Sequence, residues 1–168
     1  MVRQAVLAGA VMVGLAAAPA RAADEAWVMK VAKGGMAEVE LGKLASEKGS
    51  SDAVKQFGQR MVADHSKAND ELKALADGKK ITLPAEIGPE DKALRDRLVK
   101  LSGPAFDQAY MKAMVSDHVK DVGEFRRESR AGKDADVKSW AAKTLPTLEE
   151  HLKMARQASG AVGTAGKK

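Results

Sequence analysis

Two related segments decide the expected fold: Met61-Val62-Ala63-Asp64-His65-Ser66-Lys67 and its near repeat Met114-Val115-Ser116-Asp117-His118-Val119-Lys120. Each copy lies in a long run whose apolar residues recur every three or four positions, the period of an amphipathic helix. Each copy is also followed, six residues after its histidine, by a glutamate, Glu71 or Glu124. The repeat therefore predicts two helices that present nearly the same face to a shared interior.

The rest of the chain extends this helical pattern, and no segment shows strand alternation. Long helices are expected over about 24–48, 52–76 and 104–130, with a fourth that ends near Ala158 and that Pro146 is expected to kink. Short turns separate the first two helices and the last two, whereas the long connection 77–103 contains a short amphipathic helix with Pro89 in its first turn. Two hairpins joined by one crossover predict an all-α fold, a ferritin-like four-helix bundle over residues 23–158.

The two ends of the chain are expected to lie outside this domain. A positive start, Met1-Val2-Arg3, precedes an apolar run over 5–18 and the small residues of Ala20-Arg21-Ala22. This is the pattern of a secretory signal peptide, residues 1–22, cleaved after Ala22. The apolar run falls short of the roughly 20 residues that a membrane span requires. We therefore expect a soluble periplasmic or otherwise exported protein, with association to the envelope left open, and a disordered Gly/Ala/Lys-rich tail over 159–168.

Composition excludes several function classes. The 168 residues contain no cysteine, so disulfides and thiolate metal sites are absent. The formal net charge is +5, and two of the positive charges, Arg3 and Arg21, lie in the predicted leader. The remaining basic residues are interleaved with acidic residues rather than clustered. Aromatic residues make up only 4% of the sequence. Both observations argue against a nucleic acid partner. The chain also has no phosphate loop, dinucleotide fingerprint or nucleophile motif, so no organic cofactor is expected.

The histidines form the candidate site. His65, His118 and His151 each lie on the inward stripe of a different predicted helix and directly follow an acidic residue, and Glu38 lies on the inward stripe of the first helix. Helical rise places Glu38, His65 and His118 at a similar height and His151 about one turn away. One ligand per helix would give three imidazoles and a carboxylate, a set that suits Zn²⁺ and also Fe²⁺ or Cu²⁺. The alternative is that each histidine is a core residue hydrogen-bonded to a neighbour.

Other residues qualify this hypothesis. Asp64 and Asp117 either accept a hydrogen bond from the ring nitrogen that does not bind the metal, and so orient the ring, or point to solvent. Methionines near the histidines would favour copper, although methionine at helical spacing is typical of a packed core. No glutamate stands three residues before any histidine, so the paired Glu-x-x-His motifs of di-iron carboxylate proteins are missing. We therefore lean against an enzyme.

The chain resembles a bacterial family catalogued as domain of unknown function 4142, whose members are often labelled exported or outer-membrane proteins. The matching segments are GMAEVELGKLA at 35–45, RMVADHSKA at 60–68, GPAFDQAY at 103–110 leading to Asp117-His118, and LPTLEEHL at 145–152. These four segments stand in the same order, and the resemblance covers about residues 26–156. It implies a ferritin-like helical bundle in the cell envelope and no defined activity.

Three hypotheses follow. The first is a periplasmic protein that binds a transition metal through Glu38, His65, His118 and His151, for storage, buffering or sensing. The second is a non-catalytic envelope or stress-related interaction protein whose histidines are structural. The third is an oxidoreductase that uses the same residues, which the missing Glu-x-x-His pairs argue against.

Overall fold

The computed structural model describes residues 17–165, with side chains over 21–163. Most of the predicted signal peptide, 1–16, and the last three residues of the predicted tail lie outside the described residues. The five helices are α1 (Ala17–Lys48), α2 (Asp52–Lys79), α3 (Pro89–Val99), α4 (Gly103–Ala131) and α5 (Ala135–Ala165). No strand is present within 17–165, so the all-α prediction is confirmed. None of the helices in this range is long and apolar enough to span a membrane.

The helices lie where the apolar periodicity predicts them, but three of their ends differ from the prediction. α1 begins seven residues earlier than expected and α2 ends three residues later. α5 runs on to Ala165, so residues 159–165 of the predicted disordered tail are helical. Val162 is only 7% exposed and packs in the core, which explains why the helix continues past Ala158. Pro146 lies inside α5, and the helix continues on both sides of it.

Two helical hairpins form the molecule. α1 packs along α2 and α4 along α5, and contacts between α2 and α5 join the pairs. The backbones of α1 and α2 come close at two glycines: a Cβ atom on Gly42 would lie 2.8 Å from the carbonyl oxygen of Gly58, and one on Gly58 would lie 2.7 Å from that of Gly42. A larger residue at either position would push the helices apart.

A buried aspartate from the opposite hairpin holds each short turn. Asp107 of α4 accepts hydrogen bonds from Ser50 N (2.8 Å), Ser50 Oγ (2.8 Å) and Ser51 N (2.9 Å) in the α1–α2 turn. Asp24 of α1 accepts hydrogen bonds from Lys133 N (2.9 Å) and Asp134 N (2.5 Å) in the α4–α5 turn. Because both turns would otherwise leave amides unpaired, these aspartates fix how the two hairpins meet.

The core consists of two apolar clusters with a polar layer between them. The first cluster includes Leu41, Met61, Met114 and Ala155, and the second includes Ala32, Leu72, Val122 and Leu148. Between these heights lie four buried polar side chains, Glu38, His65, His118 and His151. Four long helices therefore each place one ionisable residue in the middle of the core, where burial without a partner is costly.

Candidate metal centre

The three histidine rings meet in the polar layer. The ring centroids of His65 and His118 are 5.9 Å apart, those of His65 and His151 5.3 Å, and those of His118 and His151 5.4 Å. One ring nitrogen of each lies within 4.8 Å of one ring nitrogen of each of the others. Three imidazoles around a single Zn²⁺ at its usual bond length would have ring centres roughly 5–5.5 Å apart. The expected offset of His151 by about one turn therefore does not keep it from the other two rings.

Two of the rings are oriented by a hydrogen bond on their outer side. His118 Nδ1 lies 3.0 Å from the carbonyl oxygen of Met114, and His151 Nε2 lies 2.8 Å from Asp64 Oδ2. Since a carbonyl and a carboxylate only accept, each of these nitrogens carries the proton and the opposite nitrogen keeps its lone pair. Metal-binding histidines are usually held in this way.

One nitrogen of each ring has no hydrogen-bond partner. His65 Nε2, His118 Nε2 and His151 Nδ1 are buried and lack any hydrogen bond. The exposed fraction of the three residues is 7%, 0% and 1%. Each unpaired nitrogen would cost about 1–3 kcal/mol if nothing bound there. The arrangement thus buries three ring nitrogens, and no donor among the described residues is hydrogen-bonded to any of them.

Electrostatics keep these rings neutral. Burial, followed by the neighbouring rings of His151 and His118, lowers the pKa of His65 to about 3. Burial, followed by His151, lowers the pKa of His118 to about 4. Burial also lowers the pKa of His151, although Asp64 opposes this shift. At neutral pH all three rings are therefore uncharged imidazoles that keep a single N–H proton, and this is the form that binds a metal.

A cavity gives access to the histidines. It has a volume of about 390 Å³, and His65 and His151 lie in its wall together with Asp64, Asp117 and Asp121. Its other walls come from α1 and the start of α3. The cavity therefore lies directly beside His65 and His151, although the unpaired ring nitrogens themselves are buried.

Of the four predicted metal ligands, the structure separates Glu38 from the three histidines. Glu38 Oε1 lies 3.9 Å from His118 Nδ1, the nitrogen that already donates to Met114, so Glu38 faces the edge of the ring away from the unpaired Nε2. Glu38 groups instead with Asp117 and Asp121, and one oxygen of each of these three carboxylates lies within 4.8 Å of the others. Glu38 is therefore next to the histidine group rather than within it.

The two predicted supporting aspartates also separate. Asp64 holds His151 rather than its own chain neighbour His65. Asp117 belongs to the carboxylate group with Glu38. Sequence reasoning missed Asp121, although its position one turn after Asp117 placed it on the same helix face.

Comparison with known proteins identifies a family but no activity. The family described as Domain of unknown function (DUF4142) has a model that matches residues 11–158, a range that contains every residue of both groups. No curated protein and no solved structure matches the chain significantly.

Proposed function

This chain belongs to the DUF4142 family, and because that description names no activity, we propose its function from the site: it binds one transition-metal ion through His65, His118 and His151. The observation that carries the proposal is the set of three unpaired, buried ring nitrogens contributed by three different helices. If the histidines were purely structural, both nitrogens of each ring would be expected to form hydrogen bonds, because an unpaired buried nitrogen is destabilising. A bound cation removes that penalty for all three at once.

The chemistry of the ligands limits which metal ions suit this site. Three neutral imidazoles favour Zn²⁺, Cu²⁺ or Fe²⁺ over Mg²⁺ or Ca²⁺, which prefer oxygen ligands. A water molecule from the cavity beside His65 and His151 could supply a fourth ligand once an ion is bound. A buried site of this kind suits storage, buffering or sensing of the metal. We further propose that α1, α2, α4 and α5 form a ferritin-like four-helix bundle, which the two hairpins and the long connection through α3 support.

Metal titration tests the proposal. The purified protein, stripped with a chelator, is expected to bind one equivalent of Zn²⁺, Cu²⁺ or Co²⁺ as a spectroscopic substitute. Co²⁺ should give visible absorption typical of nitrogen ligands. A saturating ion should also raise the unfolding temperature, because it binds only the folded state. A protein that shows neither absorption nor a thermal shift with any of these ions would overturn the proposal.

Export is the second part of the proposal. Residues 21–23 are exposed and Asp24 is the first buried residue among the described side chains of α1, so cleavage after Ala22 spares the contacts of Asp24 with the α4–α5 turn. Arg21 would be removed, and its exposed ion pair with Glu25 contributes little. We expect the protein recovered from the periplasmic fraction to have the intact mass of a chain whose first residue is Ala23.

A variant supplies the control for export. Ala22→Trp places a large residue where signal peptidase needs a small one, so uncleaved precursor should accumulate. If the wild-type protein retained its full-length mass and stayed in the cytoplasm, export would be contradicted while the metal site would remain open to the titration above.

A further inference from the structure

The carboxylate group beside the histidines is a second feature of the polar layer. Glu38, Asp117 and Asp121 come from α1 and α4, and one oxygen of each lies within 4.8 Å of the other two. Glu38 is 1% exposed, and neither of its carboxylate oxygens has a hydrogen-bond partner as long as its neighbours are ionised; a proton between them would let Glu38 and Asp117 form a hydrogen bond. Asp117 and Asp121 are half-buried and lie in the wall of the cavity that reaches the histidines.

We propose that Glu38, Asp117 and Asp121 form a second metal site, which takes a divalent cation that prefers oxygen ligands, of the class of Mn²⁺, Ca²⁺ and Mg²⁺. Three carboxylate oxygens match the preference of these hard cations, as three imidazoles match that of Zn²⁺ or Cu²⁺. The cavity allows the ion to keep bound water, which cations of this class usually do. The two sites then select different ions within one layer.

No protein cation fills this place. Among the described residues, no lysine or arginine lies within ion-pair distance of Asp117 or Asp121, and Lys30 of the cavity wall pairs with Glu124 instead. The nearest positive groups, Lys30 and Lys120, act on Asp121 only at longer range. Three close carboxylates without a contacting cation repel one another, and an added divalent ion would remove that repulsion.

The proton is the competitor of this cation. Burial, followed by the charges of Asp117 and Asp121, raises the pKa of Glu38 well above its usual value. Burial, followed by Asp117, raises the pKa of Asp121 to about 7. A divalent cation that binds here would therefore compete with any proton on Glu38 or Asp121. The geometry places this group against His118 without sharing its unpaired nitrogen.

Mn²⁺ titration followed by electron paramagnetic resonance tests the second site. Chelator-treated protein is first given one equivalent of Zn²⁺ to fill the histidine site and is then titrated with Mn²⁺. Loss of the free Mn²⁺ signal should show one further equivalent bound. Competition with Ca²⁺ and with Mg²⁺ in separate arms identifies which cation of this class binds best. Absence of any Mn²⁺ binding to the protein that already holds one equivalent of Zn²⁺ would overturn the proposal.

Three variants locate the site. Asp121→Asn and Glu38→Gln keep the side-chain shape but remove a negative ligand, so each should weaken Mn²⁺ binding by about tenfold or more. Asp121 is half-buried, so its variant should fold even if the variant at the fully buried Glu38 does not. Glu90→Gln is the matched control, because Glu90 is an exposed glutamate in the same cavity wall but outside the carboxylate group, and it should bind Mn²⁺ like the wild type.

The two metal proposals fail separately. A His65→Ala variant should lose Co²⁺ absorption and still bind Mn²⁺, whereas Asp121→Asn should keep Co²⁺ absorption. Equal Mn²⁺ affinity in Asp121→Asn, Glu38→Gln and Glu90→Gln would refute the second site without touching the first. Loss of Mn²⁺ binding in His65→Ala would show that the histidines, and not the carboxylates, hold the Mn²⁺ ion.

Discussion

A His118→Leu variant is expected to bind Zn²⁺ or Cu²⁺ at least about a hundredfold more weakly than the wild type, while its metal-free form remains folded. Structural zinc sites with four ligands gain about 10–16 kcal/mol in total, so one ligand contributes about 3 kcal/mol. A tenfold change in affinity corresponds to about 1.4 kcal/mol. Leucine is preferred to alanine because it fills most of the space of a side chain that is 0% exposed.

The stability of the metal-free variant separates the two interpretations of the histidines. If His118 serves a metal, its Nε2 is an unpaired polar atom in the metal-free protein, and leucine should leave the free energy of unfolding equal or higher. If His118 is a structural residue, both of its ring nitrogens have hydrogen-bond partners in the folded protein, and loss of both bonds should lower that free energy by about 1 kcal/mol or more. Denaturant unfolding of both proteins without metal measures the difference.

Asp64→Asn provides the graded comparison. Asp64 acts on the metal only through His151, so its loss as a carboxylate should weaken binding by about tenfold to a hundredfold. Competition with a chromophoric chelator can rank the wild type, Asp64→Asn and His118→Leu in that order of affinity. An unchanged affinity in His118→Leu would remove the histidine group as the binding site.

The apolar stripes predicted most of the fold and the height of the site. They placed His65, His118 and His151 on inward faces, and the structure brings these three rings together. A stripe gives the height and the face of a residue but not the edge of a neighbouring ring that it approaches. The assignment of Glu38 to the histidines depended on that detail, and the structure places it with Asp117 and Asp121 instead.

Asp24 and Asp107 show a second limit of the sequence. Both are acidic residues near the predicted starts of helices, and their partners are backbone amides of turns in the opposite hairpin. Because every turn contains such amides, nothing in the sequence marks which aspartate will meet which turn. Helix periodicity therefore predicts the elements, whereas the contacts that fix their mutual arrangement appear only in three dimensions.

Acid should destabilise the metal-free protein through its buried histidines. The pKa of His65 is about 3 in the folded protein and about 6.5 in an unfolded chain, so below pH 6.5 the unfolded state binds a proton that the folded state excludes. The free energy of unfolding therefore falls as pH decreases from 6.5 toward 3. Each pH unit in this window corresponds to about 1.4 kcal/mol.

The carboxylate group acts in the opposite direction. The pKa of Asp121 is raised to about 7 and that of Glu38 is also raised, so their contribution to stability is present in acid and is lost as pH rises through the raised values. The wild-type curve alone therefore mixes two effects and should pass through a maximum. A comparison that cancels the carboxylates is needed to isolate His65.

The difference in unfolding free energy between wild type and His65→Leu is expected to change by about 3 kcal/mol between pH 7.5 and pH 4, with the variant gaining in acid. Both proteins keep Glu38 and Asp121, so the contribution of the carboxylates largely cancels in the difference. Leu72→Ala is the control, because it removes a buried, non-titrating side chain of the same helix and should lower stability by a similar amount at every pH. If the wild-type and His65→Leu curves ran parallel, His65 would not be excluding a proton in the folded protein, and the neutral ring that the metal site requires would lose its support.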